Sequence, residues 1–520
     1  MNHPPPFPET DDSEAGQAAL VAWLSNPASY GQGDSAIQRI DTHISRVFLT
    51  KDRAYKLKRA VRLPFLDFST LAQRHQACLT EQTVNARTAP DLYLAVQAIT
   101  REENGDLALN GHGEPLDWLV VMRRFDEAGL FDRLAQTRAL TRDYALALAG
   151  TIAAFHQSAE SRSDFGGASG LTLTIDTNEA CFAKDIPGLF DAATVNRLTA
   201  RSRAALACHH DLLERRRLSG FVRHGHGDLH LGNICLIENR PTLFDAIEFN
   251  LDFACIDVLY DLAFLLMDLE ARGLRDTANL IFNRYLELTG DFGGLPALPL
   301  FLSLRAAIRA HVAAAMARDQ GRASSCHKKA TSYLQLALDY LEPSTPQMLA
   351  IGGLSGSGKS RLARALAPLV GRAPGALVLR SDVLRKRLAG LTPETRLPAG
   401  AYDAASTEQT YQLLGQEAEK ALIAGQSVIC DAVFALPWQR QAIESYARQL
   451  DIPFHGLWLE AEPAQMEQRI LTRKNNASDA TPAVLQKQLT LQQGEIDWTR
   501  IDSSGERQQT LEAALQALRL

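Results

Sequence analysis

Gly353-Leu354-Ser355-Gly356-Ser357-Gly358-Lys359-Ser360 decides how the second half of this 520-residue chain is read. The run fits GxxxxGK[ST] without a mismatch. Apolar Met348–Gly352 before it predicts a strand and residues 361–366 after it predict a helix, the setting such a loop requires. Glycines let the backbone curl until its N–H groups face phosphate oxygens, and the helix N-terminus adds a favourable field. On that reading Gly353, Ser355, Gly356, Ser357 and Gly358 line the cradle, Lys359 reaches the β- and γ-phosphates of ATP, and Ser360 holds Mg²⁺. A glycine turn that merely joins strand to helix is the competing reading, and it does not require the whole pattern.

Working outward, apolar runs at 376–379, 427–430 and 454–459 alternate with helical segments at 408–424 and 437–446. That alternation predicts a three-layer α/β domain with a largely parallel sheet. Asp382 follows the strand ending at Leu379, where a carboxylate can orient or deprotonate an acceptor hydroxyl, and Arg385 one turn later suits an anionic substrate group. Asp431 stands at the end of the 427–430 strand, the usual place for a carboxylate acting on Mg²⁺ through water. Both aspartates also suit helix caps. Arg469 and Arg473, four apart, share a helix face before a polar stretch, 475–479, with the composition of a lid. Closing over transferring phosphates is one reading of these arginines; a solvated basic face is the other.

Residues 346–510 resemble the small P-loop kinases, the group of gluconate-kinase-like, zeta-toxin-like and nucleotide- or sugar-kinase proteins. "SDVLRK" at 381–386 and "CDAVF" at 430–434 carry the likeness beyond the loop. It implies an AAA-type ATP-binding domain that works as a small kinase. The extra arginine-finger and sensor pattern of an unfolding machine is missing.

The other strong signal is His226-Gly227-Asp228-Leu229-His230-Leu231-Gly232-Asn233. Asp-x-x-x-x-Asn is the catalytic-loop spacing of protein kinases: the carboxylate takes the acceptor proton and the amide oxygen binds Mg²⁺. Asp228 is the candidate base and Asn233 the candidate metal ligand. Asp245, closing a short predicted strand at 242–244, is the second candidate ligand, and Glu248 is its rival. His224, His226 and His230 alternate like one strand face, which admits zinc, but Asp228 between them favours hydrogen-bonding roles.

This passage resembles the aminoglycoside phosphotransferase and choline-kinase-like superfamily, whose loop reads His-Gly-Asp-x-His-x-x-Asn, over about residues 30–335. The resemblance implies a bilobal protein-kinase-like domain. It makes Lys56 the phosphate-contacting lysine, with Lys58 on the same side as alternative, and Glu81 its ion-pair partner. It makes 118–124 the adenine hinge and gives Asp257 and Asp261 structural roles near the catalytic loop. The phosphate-covering glycine loop is absent: between the first two predicted strands, 44–49 and 54–57, stand only Thr50-Lys51-Asp52.

The expected layout is a disordered Pro- and acid-rich arm at 1–15, a strand-rich lobe at 16–124, a helical lobe at 125–341, a linker at 342–346 and the P-loop domain at 347–520. The strand-rich lobe has helices at 17–24 and 70–89, the second capped by Ser69 or Thr70, with strands at 92–99 and 118–122. The helical lobe has its clearest helices at 140–156, 195–217, 253–269, 276–288 and 302–316. The fusion itself resembles a bacterial family described by its two domain names.

Lys and Arg number 54 against 60 Asp and Glu, a net charge of -6 that disfavours broad attraction to nucleic acid or an anionic membrane. The seven cysteines form no CxxC pair, the N-terminus lacks signal-peptide character, and the apolar run 260–267 is too short to span a membrane, so a reducing cytoplasmic setting is expected. These readings converge on an ATP- and Mg²⁺-dependent phosphotransferase acting on small-molecule hydroxyls, with up to two active sites. A regulatory ATP-binding protein with a pseudokinase half and an ATPase half, and a toxin-like nucleotide-sugar kinase, are the alternatives. No acidic cluster suited to a polycationic antibiotic is evident. The motifs specify neither the acceptor nor an oligomeric state.

Overall fold

A computed structural model describes residues 15–31, 36–63, 66–320, 325–472 and 479–519. Residues 1–14 of the expected arm, Arg473, and all but Asp479 of the stretch 475–479 lie outside the described residues. The chain divides into two compact units. One comprises Met1–Ala147, Ala154–Gly170 and Arg216–Asp261; the other comprises Leu148–Ala153, Leu171–Arg215 and Leu262–Leu520. The fold class is a two-lobed kinase-like domain with an antiparallel sheet, followed by a parallel-sheet P-loop domain.

The first unit is built on a six-stranded sheet in the order Gln38–Asp41, Ser45–Leu49, Arg53–Lys58, Glu114–Arg123, Tyr93–Arg101, Leu107–Leu109. Every neighbouring pair is antiparallel. Gln38–Asp41 corrects the sequence reading, which started the sheet one strand late. All four of its residues are exposed, so no apolar alternation marks it. Thr50-Lys51-Asp52 therefore joins the second and third strands, and Thr42-His43-Ile44 joins the first two. Thr50 closes its turn by donating its N–H to Arg53 O at 2.9 Å and accepting from Arg53 N at 3.2 Å.

Helix Leu71–Asn85 starts at Thr70, whose hydroxyl accepts from Gln73 N while the Gln73 side chain accepts from Thr70 N. Arg74, Cys78, Glu81 and Asn85 recur at helical spacing on its buried face. Two of these four are charged, so the face cannot be simple hydrophobic core. Arg74 is satisfied by buried Asp117 at 2.9 Å, which also accepts from Gln17 Nε2 at 2.7 Å. Glu81 is left for the site described below.

The second unit begins with helices. The predicted helix 195–217 is two, Ala192–Cys208 and His210–Leu218, and Gly167–Ala183 is a helix the sequence reading missed. Leu298–Gln320 is buried for much of its length, with Ser303 Oγ donating to Ala337 O at 2.7 Å. Among the described residues one helical stretch, Phe292–Arg318, is long and apolar enough to cross a membrane by length and composition; 67% of its apolar window is buried inside the protein, as in a core helix.

After irregular residues 343–347 comes a five-stranded sheet in the order Leu377–Arg380, Val428–Asp431, Met348–Gly352, Phe454–Glu460, Thr499–Asp502. Each neighbouring pair is parallel. Its core packs Leu349, Ile351, Val378, Ile429 and Leu457 against Leu362 and Leu366 of the helix after the P-loop. Thr499–Asp502 went unread because it is an edge strand with one buried residue, Ile501.

Candidate active sites

In the first unit, strand Val222–His224 delivers the chain into the His226–Asn233 loop. Gly227, at φ +81°, turns it; a Cβ there would lie 2.8 Å from Phe253 O. Buried Asp261 braces the turn by accepting from His226 N at 2.7 Å and Gly227 N at 3.0 Å. Asp257 does other work, accepting from Arg216 at 2.6 and 2.9 Å and from Leu259 N at 2.8 Å. Burial lowers the pKa of His226, so its neutral ring donates from Nε2 to Phe244 O at 2.9 Å. His226 thus acts as scaffold. Among the described residues, no group of three or more His, Cys, Asp or Glu side chains is gathered as a metal site.

Asn233 Nδ2 donates to Asp228 Oδ2 at 2.9 Å and to Asp228 O at 3.0 Å. Gly232 N donates to His230 Nδ1 at 3.0 Å, which leaves the ring proton of neutral His230 on Nε2, 3.4 Å from Asp228 Oδ2. The Asp228 carboxylate, 37% exposed, is therefore oriented from two sides and open to solvent.

Lys56 and Lys58 share a strand face, and both reach Glu81. Lys56 Nζ lies 2.8 Å from Glu81 Oε1 and 2.6 Å from Asp245 Oδ1. Lys58 pairs with the other Glu81 oxygen and with Glu248. Burial works against the charge on Lys56, but Asp245 and Glu81 outweigh it and hold its pKa well above the ordinary value. Burial also opposes the charge on Glu81, and Lys56 and Lys58 together pull its pKa down. Burial pushes the Glu248 carboxyl up against the pull of Lys58.

Asp245 lies two residues beyond strand Arg240–Leu243, not at its end, and sits in the left-handed region at φ +61°. Its N–H donates to Tyr93 OH at 3.1 Å and the next N–H to Asn85 Oδ1 at 2.8 Å, which hold that conformation. Two ammonium groups face three carboxylates here, leaving one net negative charge. Of the three carboxylates, Asp245 is the solvent-facing one, at 43% exposure, whereas Glu81 and Glu248 are buried.

Phe244 N donates to Asn233 O at 3.0 Å, bringing the two candidate ligand segments side by side. The Asn233 amide nitrogen is committed to Asp228, so Oδ1 is the atom it offers. A carboxylate and an amide oxygen with surplus negative charge fit Mg²⁺, which keeps few protein ligands when substrate phosphates supply the rest. Residues 118–123 of the expected hinge belong to a strand paired on both sides, so the connection out of the sheet starts at Arg124.

In the second unit, the P-loop follows Met348–Gly352 and feeds helix Lys359–Leu366. A Cβ on Gly353, at φ +135°, would come 2.5 Å from Leu459 O, and one on Gly356, at φ +90°, 2.4 Å from Met466 O. These close approaches leave room for glycine alone at both positions. Lys359 Nζ spans the loop to Leu354 O at 3.0 Å. Ser503 Oγ steadies it from Ser357 O at 2.8 Å, and Gln488 Oε1 accepts from Ser355 N at 2.8 Å. No sequence motif had singled out Ser503 or Gln488.

Asp431 ends its strand in register with Ile351 and is buried. Asp382 is the second residue of helix Ser381–Leu388, whose N-cap is Arg380. Neither aspartate is an N-cap, which removes that reading. Ser360 and Asp431 are hard oxygen donors beside the phosphate cradle, a set that fits Mg²⁺.

Buried Arg385 donates to Ala401 O at 3.0 Å and stacks 4.9 Å over the Tyr402 ring. Arg469 donates to Ser503 O at 2.7 Å. Asp479 accepts from Tyr402 OH at 2.9 Å.

Comparison with known proteins adds the lineage. A family model described as an AAA domain matches residues 348–493. Uncharacterized protein Rv2004c of Mycobacterium tuberculosis and Uncharacterized protein Mb2027c of Mycobacterium bovis are each 30% identical over 488 residues, 91% of this chain and 93% of theirs. The chain belongs to their family. Among solved structures, a gluconokinase from Sinorhizobium meliloti is 20% identical, over 34% of this chain and 93% of that one, with a TM-score of 0.25. A choline/ethanolamine kinase family protein from Mesorhizobium loti is 12% identical, over 62% and 94%, with a TM-score of 0.39. Those two relatives are uncharacterized, and within this chain the AAA domain accounts for residues 348–493.

Proposed function

We propose that the chain is an ATP- and Mg²⁺-dependent phosphotransferase of the cytoplasm that moves a γ-phosphoryl group to a hydroxyl of a small molecule, with one site in each unit. The observation that carries the reading is the Lys56–Glu81–Asp245 cluster, drawn from positions up to 189 residues apart and set beside the Asp228–Asn233 pair. A purely structural loop has no use for that convergence.

In the first site Lys56, clasped between Glu81 and Asp245, presents its ammonium to the donor phosphates. Asp228, aligned by Asn233 and His230, takes the acceptor hydroxyl proton as the oxygen attacks. Asn233 and Asp245 would hold Mg²⁺, with Glu248 kept by Lys58 for a structural task. In the second site the P-loop N–H groups and Lys359 bind the phosphates, Ser360 and Asp431 would hold Mg²⁺, and Asp382 orients the acceptor. Arg385 and Arg473 are assigned to the substrate anion and the transferring phosphate. Bound Mg²⁺ supplies charge neutralisation across the transferring phosphates at both sites. The assigned limits are 16–124 and 125–341 for the two kinase-like lobes, 342–346 for the linker and 347–520 for the P-loop domain.

The test follows γ-labelled ATP into a fractionated metabolite extract with wild type, Asp228→Asn and Lys359→Ala proteins. A labelled small molecule lost in one variant names product and domain together. Release of free phosphate alone, or labelling of protein, would replace this reading with the regulatory one.

A further inference from the structure

Helix Arg275–Thr289 precedes the linker, yet it is fastened to the outermost strand of the P-loop sheet. Asn279 Nδ2 and Asn283 Nδ2 donate to Ala376 O at 3.1 and 3.2 Å, and Val378 N donates to Asn283 Oδ1 at 2.7 Å. Arg275 adds a bond to Gly371 O at 2.8 Å, and Arg284 an ion pair to Glu394 at 2.6 Å. The last turn of this helix carries Glu287. Its Oε1 lies 3.6 Å from Nη1 of Arg380, the residue that ends the strand and caps the helix of Asp382. The same guanidinium has Nε 3.7 Å from Asp431 Oδ2. All three side chains are largely buried: Arg380 is 10% exposed, Glu287 17% and Asp431 4%.

Arg380 thus stands within ion-pair range of both carboxylates, and Glu287 is the stronger of the two attractions on it. A guanidinium that closed fully on Asp431 would compete with a cation for it. We propose that Glu287 is a positioning residue of the P-loop site: by drawing Arg380 away, it keeps Asp431 available to Mg²⁺. This rests on the reading of the P-loop as a nucleotide site with Asp431 near the metal. It follows that the P-loop site draws on a residue that precedes the linker.

Two substitutions separate this role from simple packing. Glu287→Gln releases Arg380 onto Asp431 and raises the Mg²⁺ requirement. Glu287→Gln combined with Arg380→Met removes the competitor and reverses the effect, whereas a packing role would make the double variant the worse of the two. The measurement is binding of a fluorescent ATP analogue to the full chain across a Mg²⁺ titration, counting the part abolished by Lys359→Ala. Glu287→Gln is expected to raise the Mg²⁺ midpoint roughly fivefold, the effect of one unit charge at about 4 Å with water-like screening. The double variant returns it to the wild-type value or lower.

An unchanged midpoint in Glu287→Gln, or a double variant worse than the single, overturns the proposal and leaves the nucleotide site standing. Binding that is indifferent to Lys359→Ala overturns both. Should Glu287→Gln fail to fold, Arg380→Met alone reads the same balance from the other side. Its midpoint is expected below the wild type, and a higher one refutes the proposal.

Discussion

Replacing Lys58 with methionine, an apolar side chain of similar length, isolates one half of the buried ion-pair cluster. Glu81 keeps Lys56 on Oε1, but Glu248, with its side chain 4% exposed, loses its ammonium partner. A buried lone carboxylate costs several kcal/mol, and it escapes that cost by taking a proton. From the ordinary value of 4.5, protonation at pH 7 costs about 3.4 kcal/mol, 2.5 units at about 1.36 kcal/mol each. That sets the ceiling on Glu248's share of the destabilisation at pH 7; at pH 5.5 the same step costs about 1.4 kcal/mol. The sign follows from linkage. A carboxyl whose folded pKa is raised gives stability that is complete below 4.5 and is lost as pH rises, so the variant weakens with increasing pH. Adding Glu248→Gln removes the titrating group and should flatten the pH dependence. Urea titrations read by hydrogen exchange on peptides spanning Arg53–Lys58 report this unit alone. A Lys58→Met penalty that is independent of pH, or one that Glu248→Gln does not flatten, would refute the assignment of Lys58 to Glu248. Lys56→Met should instead abolish Asp228-dependent transfer.

Gly356→Ala forces a Cβ to 2.4 Å from Met466 O at φ +90°. Nucleotide affinity at the P-loop should fall more than about tenfold, the equivalent of roughly 1.4 kcal/mol, with Asp228-dependent transfer unchanged; equilibrium binding of the labelled analogue checks it. His311, whose pKa burial lowers to about 4, donates to Asn178 Oδ1 at 3.1 Å. Between pH 6.5 and 4 the unfolded chain binds a proton that the folded one refuses, so stability is full above 6.5 and falls with acidification, by about 2 kcal/mol at pH 5. His311→Gln should make the fall in melting temperature between pH 7 and 5 shallower.

The P-loop half was the more legible because its signals are local. Met348–Gly352 is an uninterrupted apolar run, and the glycines after it announce their own backbone conformation. Strands that failed to announce themselves lie on edges: Gln38–Asp41 and Thr499–Asp502 bury at most one side chain each, so burial left no period to read. Gly167–Ala183 hid for another reason, since its glycines and threonines are poor helix formers rescued by packing. In the first site, spacing alone pointed to Asp228 and Asn233, five residues apart. The division of labour between Lys56 and Lys58 was invisible, because it depends on which of Asp245 and Glu248 each meets some 190 residues later. Glu287 and Arg380 were beyond reach for the same reason: no local pattern marks a helix residue that will stand beside a strand far along the chain.

The side-chain amides of Asn279 and Asn283 have a consequence for solubility. Strand Leu377–Arg380 is the rim of the parallel sheet, and a rim with open N–H and C=O groups is a template for pairing with another chain. Here the two asparagines imitate a sixth strand for a short distance, occupying Ala376 O and Val378 N with groups that cannot propagate a ladder. A fragment cut at the linker would carry the whole P-loop and yet bare that rim. Its tendency to stick to copies of itself would then reflect the lost helix and not any fault in the nucleotide fold.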